Sequence, residues 1–328
     1  NGEVICSVSS PHFNPNIFSR GIDIEEWKSI KNDNKSPLLN RTVSGLYPPG
    51  STIKMVVALA ALENDIINYN SKFFCNGVKE FGNMKFHCWA KHGHGNVNLS
   101  QAIERSCDVY FYELGLKVGI ERIASMMKRL GLGNLLNIEL DQVRKGLVPN
   151  KDWKLKRDGI SWTPGETINA SIGQGYMLVS PLQLVTMVSR IANGNYAIEP
   201  TLINGKQQKF KKLNLKSRNL NFIRNAMMRV VSSNYGTAKN SRIGLPDFER
   251  AGKSGTVQVV RISEQEREKG ITKNFERVWK KRDHALFVGY APANRPKYSI
   301  CVVVEHGGSG SGIAAPIARD IFKRLFKI

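Results

Sequence analysis

Ser51-Thr52-Ile53-Lys54 follows Pro48-Pro49-Gly50 and heads an apolar run from Ile53 to Leu62. These four residues decide the fold. A serine or threonine just before a long apolar run marks a helix start. There Ser51 and Lys54, three apart, share one face. A serine hydroxyl is a weak nucleophile until a base takes its proton, and a lysine serves as that base when burial disfavours its charge. The positive end of the helix offers backbone N–H groups to an oxyanion. Alone, S-x-x-K is equally an N-cap beside a surface lysine, so it needs companions.

Two further stretches provide them. Ser106-Cys107-Asp108 lies in the next helical pattern, and Lys253-Ser254-Gly255-Thr256 enters a β-rich run. Ser106 can pass a proton between Lys54 and a leaving amine, and Asp108 can accept from Lys54 or a substrate amide. Lys253 with the hydroxyls of Ser254 and Thr256 suits a terminal carboxylate. Gly255 lets a substrate backbone lie close to the strand, and the Thr256 N–H can join that of Ser51 as an oxyanion donor. The order S-x-x-K, S-D-N, K-T-G marks penicillin-binding proteins and class A β-lactamases.

On these motifs the chain resembles class B penicillin-binding proteins of the cell-elongation group. The resemblance runs through Gly45 to Lys54, Ser171-Ile-Gly-Gln-Gly-Tyr176 with Ser180-Pro-Leu-Gln183, and Ala251 to Gln258. Ser9-Ser10-Pro11 with Phe13-Asn-Pro-Asn16 is similar to the first strand and loop of such domains; Asp283 to Pro292 and Val304 to Gly308 are similar to their late strands. Asp108 stands where Asn is expected and Ser254 where Thr is commoner, and neither removes a reacting group.

The resemblance implies an α+β fold, with an antiparallel five-stranded sheet flanked by helices. It implies one transpeptidase domain over 1–328, with an all-helical subdomain at about 60–165. A membrane anchor and a pedestal domain, absent from this chain, are expected upstream, placing the protein at the bacterial inner membrane with its catalytic part in the periplasm. The implied activity is peptidoglycan D,D-transpeptidation. Ser51 attacks the penultimate D-Ala of a stem pentapeptide, Lys54 takes the proton, and Ser106 helps return it to the departing D-Ala. Lys253, Ser254, Gly255 and Thr256 bind the substrate tail, and a second stem peptide's amine takes the acyl group. β-Lactams would acylate the same serine. A membrane glycan polymerase and a scaffold of the elongation machinery are the implied partners, and no organic cofactor is expected. A serine β-lactamase and a β-lactam sensor domain are the alternatives; Ile172-Gly-Gln-Gly175 and Ser180–Gln183 favour the transpeptidase.

Composition narrows the field little. A net charge of +21 fits an anionic partner or a solvated lysine-rich surface. No zinc-finger pattern or aromatic RNA-binding signature accompanies it, so nucleic acid is not expected. The strongest apolar stretch, Met55 to Leu62, is far too short for a membrane span.

The five cysteines cannot all pair. Cys75, Cys88 and Cys107 with His94 offer a Cys₃His set for structural zinc. Cys107 lies between Ser106 and Asp108, so a metal there would fix the second motif. His87 and His92 are rival ligands; a Cys75–Cys88 disulfide and buried free thiols are the alternatives. Some elongation-type relatives resemble this with a zinc site that includes carboxylates, at what appear here as Cys75 and Cys88. Cys6 and Cys301 fall in strand-like runs and are expected in the core.

Local patterns place an edge strand at 1–10, irregular chain at 11–47 and 70–97, and loop at 140–166. Helices are expected at Leu99–Gly115, Ile120–Leu130, Pro181–Asn193 and Asn221–Ser233. Strands are expected at Gly255–Ile262, His284–Ala291 and Tyr298–Glu305, with a long mobile loop over Ser263–Arg282. Ile313, Ile317, Ile321 and Leu325 at four-residue steps predict a C-terminal amphipathic helix capped by Ser311.

Overall fold

A computed structural model describes residues 1–260 and 262–328. In chain order the helices are α1 (Asn16–Ser19), α2 (Ile24–Asn32), α3 (Lys54–Glu63), α4 (Leu99–Glu104), α5 (Asp108–Val118) and α6 (Ile120–Arg129). They continue with α7 (Lys151–Asp158), α8 (Pro164–Ser171), α9 (Pro181–Ala192), α10 (Ser217–Ser232), α11 (Glu264–Lys269) and α12 (Ala315–Phe326). The strands are β1 (Lys72–Cys75), β2 (Val78–Phe81), β3 (Met84–His87), β4 (Gly95–Asn98), β5 (Ala251–Val257), β6 (His284–Ala291) and β7 (Tyr298–Val304). The fold is α+β. No described helix is long and apolar enough to cross a membrane.

At the centre lies α3, whose sequence from Met55 to Leu62 is apolar all round. Nine of its ten residues are buried, Lys54 included. A helix apolar on every side belongs inside a core, and each buried Val, Leu or Met contributes about 1.5–3 kcal/mol. Around it α4, α5, α6 and α10 close one layer, and β5-β6-β7 forms the other. The sheet is antiparallel, with Lys253 opposite Val288 and Val288 opposite Cys301.

Helix starts follow the local chemistry. Asn98 with Gln101, Thr163 with Glu166 and Ser180 with Gln183 each form a reciprocal capping box, which satisfies two otherwise orphaned N–H groups. Pro164 and Pro181 occupy the first helical positions, where a missing N–H costs nothing.

Several expectations fail. The main sheet has three strands among the described residues, not five. Residues 1–10 form no strand: only Glu3 bridges to Thr201, and Ile5, Cys6 and Val8 are exposed. Alternation without a partner on either side does not make a ladder. Cys6 is therefore not a core residue, and Cys301 is only half-buried in β7. The region 60–165 is not all helical, because β1 pairs with β4 and β2 with β3. The missed signal was Gly82-Asn83 between two short strands, a two-residue hairpin turn. The stretch 11–47 carries α1 and α2, and α7 and the start of α8 lie in 140–166. Ser263–Arg282 carries α11 and two 3₁₀ turns, Asn274–Glu276 and Trp279–Lys281. Leu99–Gly115 is not one helix; it breaks at Arg105–Cys107 between α4 and α5.

The C-terminal helix exists but faces the other way. Ala314, Ala315, Ala318 and Phe322 are buried, whereas Ile313, Ile317 and Ile321 are exposed. Small residues let this helix approach the sheet closely, and the isoleucine stripe beside them is left outside. The cap is Ser309, not Ser311: its side chain accepts from the Gly312 N–H.

Candidate active site

Ser51 lies in a 3₁₀ turn, Gly50–Ile53, that runs straight into α3. The turn is fixed against two neighbours. On one side Gly50 donates its N–H to the Gly173 carbonyl at 3.0 Å. A Cβ on Gly173 would lie 2.3 Å from the Gly50 oxygen, and Gly173 has φ +74°, so only glycine fits there. On the other side the turn presses on β5. A Cβ on Gly255 would meet Thr52 Cγ2 at 3.0 Å and the Pro49 carbonyl at 3.4 Å. Gly255 was read as room for substrate backbone; the side-chain space it leaves is taken by the serine turn. Thr52 is locked by donating to the Pro49 carbonyl at 2.7 Å. The Ser51 hydroxyl has no hydrogen-bond partner among the described residues.

Lys54 is fully buried. Its Nζ donates to the Ser106 carbonyl at 2.9 Å, to Ser106 Oγ at 3.2 Å and to Asp108 Oδ1 at 2.7 Å. Lys253, also fully buried on β5, donates to the same Ser106 Oγ at 2.9 Å and to the Ser254 carbonyl at 3.0 Å. The Ser106 hydroxyl is thus shared by two ammonium groups. Burial, and then the charge of Lys54, push Lys253 well below the usual lysine range. Burial raises the Asp108 carboxyl, against the pull of Lys54.

Ser106 reaches this position because it adopts φ +56°, a left-handed conformation that non-glycine residues rarely hold. That conformation ends α4 and turns the chain so that α5 restarts at Asp108. Cys107 caps the new helix, its Sγ accepting from the Tyr110 N–H at 3.4 Å.

Behind that turn, Cys75, Cys88, His94 and Cys107 converge. Their ligand atoms all lie within 4.8 Å of one another. His94 Nδ1 is 3.7 Å from Cys75 Sγ and 3.6 Å from Cys88 Sγ. The Asp108 N–H donates to Cys88 Sγ at 3.4 Å. All five cysteines are free thiols. Hydrogen bonds from Cys107 and Cys75 push the Cys88 thiol down, and those from Cys75 and Cys88 push Cys107 up. Burial opposes a charge on His94, yet Cys75 and Cys88 raise it to about 9. His94 Nε2 is buried without a partner. Neither rival, His87 nor His92, belongs to the cluster.

Two contributors escaped the sequence reading. Trp89 donates its backbone N–H to Asp108 Oδ2 at 3.0 Å and its indole N–H to the Ser106 carbonyl at 3.1 Å. Thr237 sets its hydroxyl 3.0 Å from Ser254 Oγ. Trp89 could have been suspected from its place beside Cys88. Nothing in the spacing of Thr237 pointed to the site.

The whole chain is similar to known transpeptidase domains. A family model described as the penicillin binding protein transpeptidase domain matches residues 1–323. Peptidoglycan D,D-transpeptidase MrdA of Acinetobacter baumannii is 36% identical over 98% of this chain and 48% of its own length. Its Escherichia coli counterpart is 31% identical over 99% of this chain and 52% of its own. The chain therefore spans about half the length of these curated relatives. Penicillin-binding protein 2 from Helicobacter pylori, solved in complex with MreC, superposes with a TM-score of 0.91 and 35% identity. That match covers 100% of this chain and 58% of that one. Penicillin-binding protein 2 of Pseudomonas aeruginosa, in complex with WCK 5153, gives 0.85 and 36%, over 97% of this chain and 70% of that one. The chain belongs to the penicillin-binding protein transpeptidase family and is similar to penicillin-binding protein 2.

Proposed function

We propose that this chain is the catalytic domain of a peptidoglycan D,D-transpeptidase of cell elongation, working through an acyl-enzyme on Ser51. The observation that carries the reading is the single Ser106 hydroxyl bonded by both Lys54 and Lys253, beside a serine turn packed on β5. Ser51 Oγ attacks the carbonyl of the penultimate D-Ala. With its ammonium proton first handed to Asp108 Oδ1, 2.7 Å away, neutral Lys54 takes the Ser51 proton, and Ser106 Oγ, 3.2 Å from Nζ, lies in reach to relay it. Ser106 returns a proton to the departing D-Ala, and a second stem peptide's amine then takes the acyl group. Lys253, Ser254 and Thr256 hold the terminal carboxylate, and the N–H groups of Ser51 and Thr256 face the oxyanion. β-Lactams enter the same path and stop at the acyl-enzyme.

Intact-mass spectrometry with benzylpenicillin tests this. A stable one-to-one adduct that disappears in Ser51→Ala supports it. Rapid turnover of the penicillin would make the protein a β-lactamase, and an adduct that survives in Ser51→Ala would remove Ser51 from its role. A sensor domain would acylate but form no cross-linked peptide.

The reading extends to the surroundings. The names of the structural relatives support a scaffold of the MreC kind and a polymerase coupled to cross-linking as partners. A catalytic domain facing the periplasm, anchored in the inner membrane by a segment outside these residues, fits substrates that lie there.

Structural zinc is part of the proposal. A tetrahedral ion with Zn–S near 2.3 Å and Zn–N near 2.0–2.1 Å sets its ligands about 3.5–3.8 Å apart. The two sulfur-to-Nδ1 separations, 3.7 and 3.6 Å, match that. The N–H donors of Asp108 and Tyr110 would support the thiolates. Cys75, Cys88, His94 and Cys107 would fill all four positions, so the ion would supply rigidity and no reaction step. Metal analysis finding no zinc, with two thiols lost to a disulfide, would reject it.

A further inference from the structure

Arg105 is the residue before Ser106, and the transpeptidase reading gives it no task. Its guanidinium sits over the Tyr235 ring, Cζ 4.4 Å from the centroid. Its Nε is buried and has no partner, and no acid pairs with it among the described residues. The nearest acids along the chain are already engaged. Glu104 accepts from Arg229 and Ser233, and Asp108 from Lys54 and Trp89.

The backbone and side chain of Arg105 are fixed separately. Trp89 Nε1 donates to its carbonyl at 3.0 Å, while Tyr235 carries the guanidinium. Trp89 and Tyr235 are 64% and 68% exposed, so this clamp adds little to the core. It holds a cation beside the Ser106 turn. Tyr235 stands two residues before Thr237, whose hydroxyl meets Ser254 and whose N–H donates to the Glu104 carbonyl at 3.2 Å. Arg105 and Tyr235 therefore bridge the two walls that carry Ser106 and Ser254.

A planar guanidinium stacked on a ring keeps its N–H edge free for two-point contact with a carboxylate. We propose that Arg105, clamped by Tyr235, is a specificity residue that recognises a carboxylate on the acceptor stem peptide. The inference rests on the transpeptidase reading. The donor's terminal carboxylate is assigned to Lys253 and Ser254, and Ser106 handles the proton of the amine that leaves or arrives. The cation next to Ser106 thus meets the amine-bearing partner. A charged acceptor is guided to the acyl-enzyme, and one with its carboxylates amidated is not.

The test uses the full chain with an N-acetylated pentapeptide donor. Two amine-bearing tripeptide acceptors compete, one with free carboxylates and one with those carboxylates amidated. Mass spectrometry reads the ratio of the two cross-linked products, which does not depend on how fast Ser51 acylates. The wild type should favour the free acid by about tenfold, in line with a charge-assisted hydrogen-bond pair. Arg105→Gln should bring the ratio near one. Arg105→Lys, with charge but no fork, and Tyr235→Leu, with the fork unclamped, should fall between, and melting curves confirm that each variant folds. A wild-type ratio near one, or a ratio unchanged in Arg105→Gln, overturns the proposal. Absence of any penicillin adduct in the wild type would instead overturn the transpeptidase reading beneath it.

Discussion

The Ser106–Asp108 turn is gripped from two sides, and the two grips are built differently. In front, Lys54 and Lys253 reach it from α3 and β5. Those elements are placed by the core, so two buried cations arrive at one hydroxyl as a consequence of packing. Behind, Cys75, Cys88 and His94 reach Cys107 from short hairpin strands and loops. The three thiols are buried at the edge of the main core, and His94 joins them there. The front grip is made of secondary structure and hydrogen bonds; the rear grip depends on what the four side chains bind. The contrast shows how one turn can be fixed by packing on one face and by side-chain binding on the other.

The largest effect should come from the front. Ser51→Ala should abolish covalent labelling by fluorescent penicillin; persistent labelling at that position would end the catalytic reading. Next, Lys54→Met leaves the Asp108 carboxylate buried without its cation. Breaking such a pair costs about 3–5 kcal/mol, so chemical denaturation should show a clear loss of stability together with loss of acylation. A variant as stable as the wild type would mean that the front grip carries no structural weight.

The rear grip is sharpened by testing for the proposed zinc. A ligand present at about 100 times its dissociation constant stabilises by about 2.7 kcal/mol. At roughly 2 °C per kcal/mol for a chain of this size, chelation or Cys107→Ser should lower the melting temperature by about 5 °C. Acylation should slow with it, because Ser106 and Asp108 flank the lost ligand. An unchanged melting temperature after chelation would leave the rear grip to hydrogen bonds alone.

A pH profile separates the two lysines. Because burial and Lys54 lower Lys253, rising pH removes its charge earlier than from a free lysine. The carboxylate hold weakens as that charge goes, so the alkaline limb of acylation should begin below the usual lysine range. Lys253→Arg, which stays charged, should move the limb upward; an identical limb would assign it to another group. The smallest effect belongs far from both grips. Ile317→Ser on the exposed stripe of α12 should change stability by no more than about 0.5 kcal/mol, measured by denaturant titration.

Much of the site was legible because its chemistry lies in short motifs. The run that ends at Leu62 declared a helix, and the β-branched runs declared β6 and β7 almost to the residue. Where a stretch needed a partner, the reading failed. Residues 1–10 alternate like a strand yet have only one bridge. Ile313, Ile317 and Ile321 look like a core stripe yet are exposed, because the alanine face beside them fits closer to the sheet.

By itself the sequence determined which candidate groups exist: a serine and lysine one turn apart, a second hydroxyl, a cation entering a strand, and three thiols near an imidazole. Their identities and short spacings are local properties that no later packing alters. Only the tertiary structure decided that Lys54 and Lys253 share one hydroxyl, that Ser106 turns left-handed to meet them, and that Arg105 is left over Tyr235 without an acid. Those contacts join residues dozens to more than a hundred positions apart. Such distances are closed by the burial of whole elements, which no local spacing encodes.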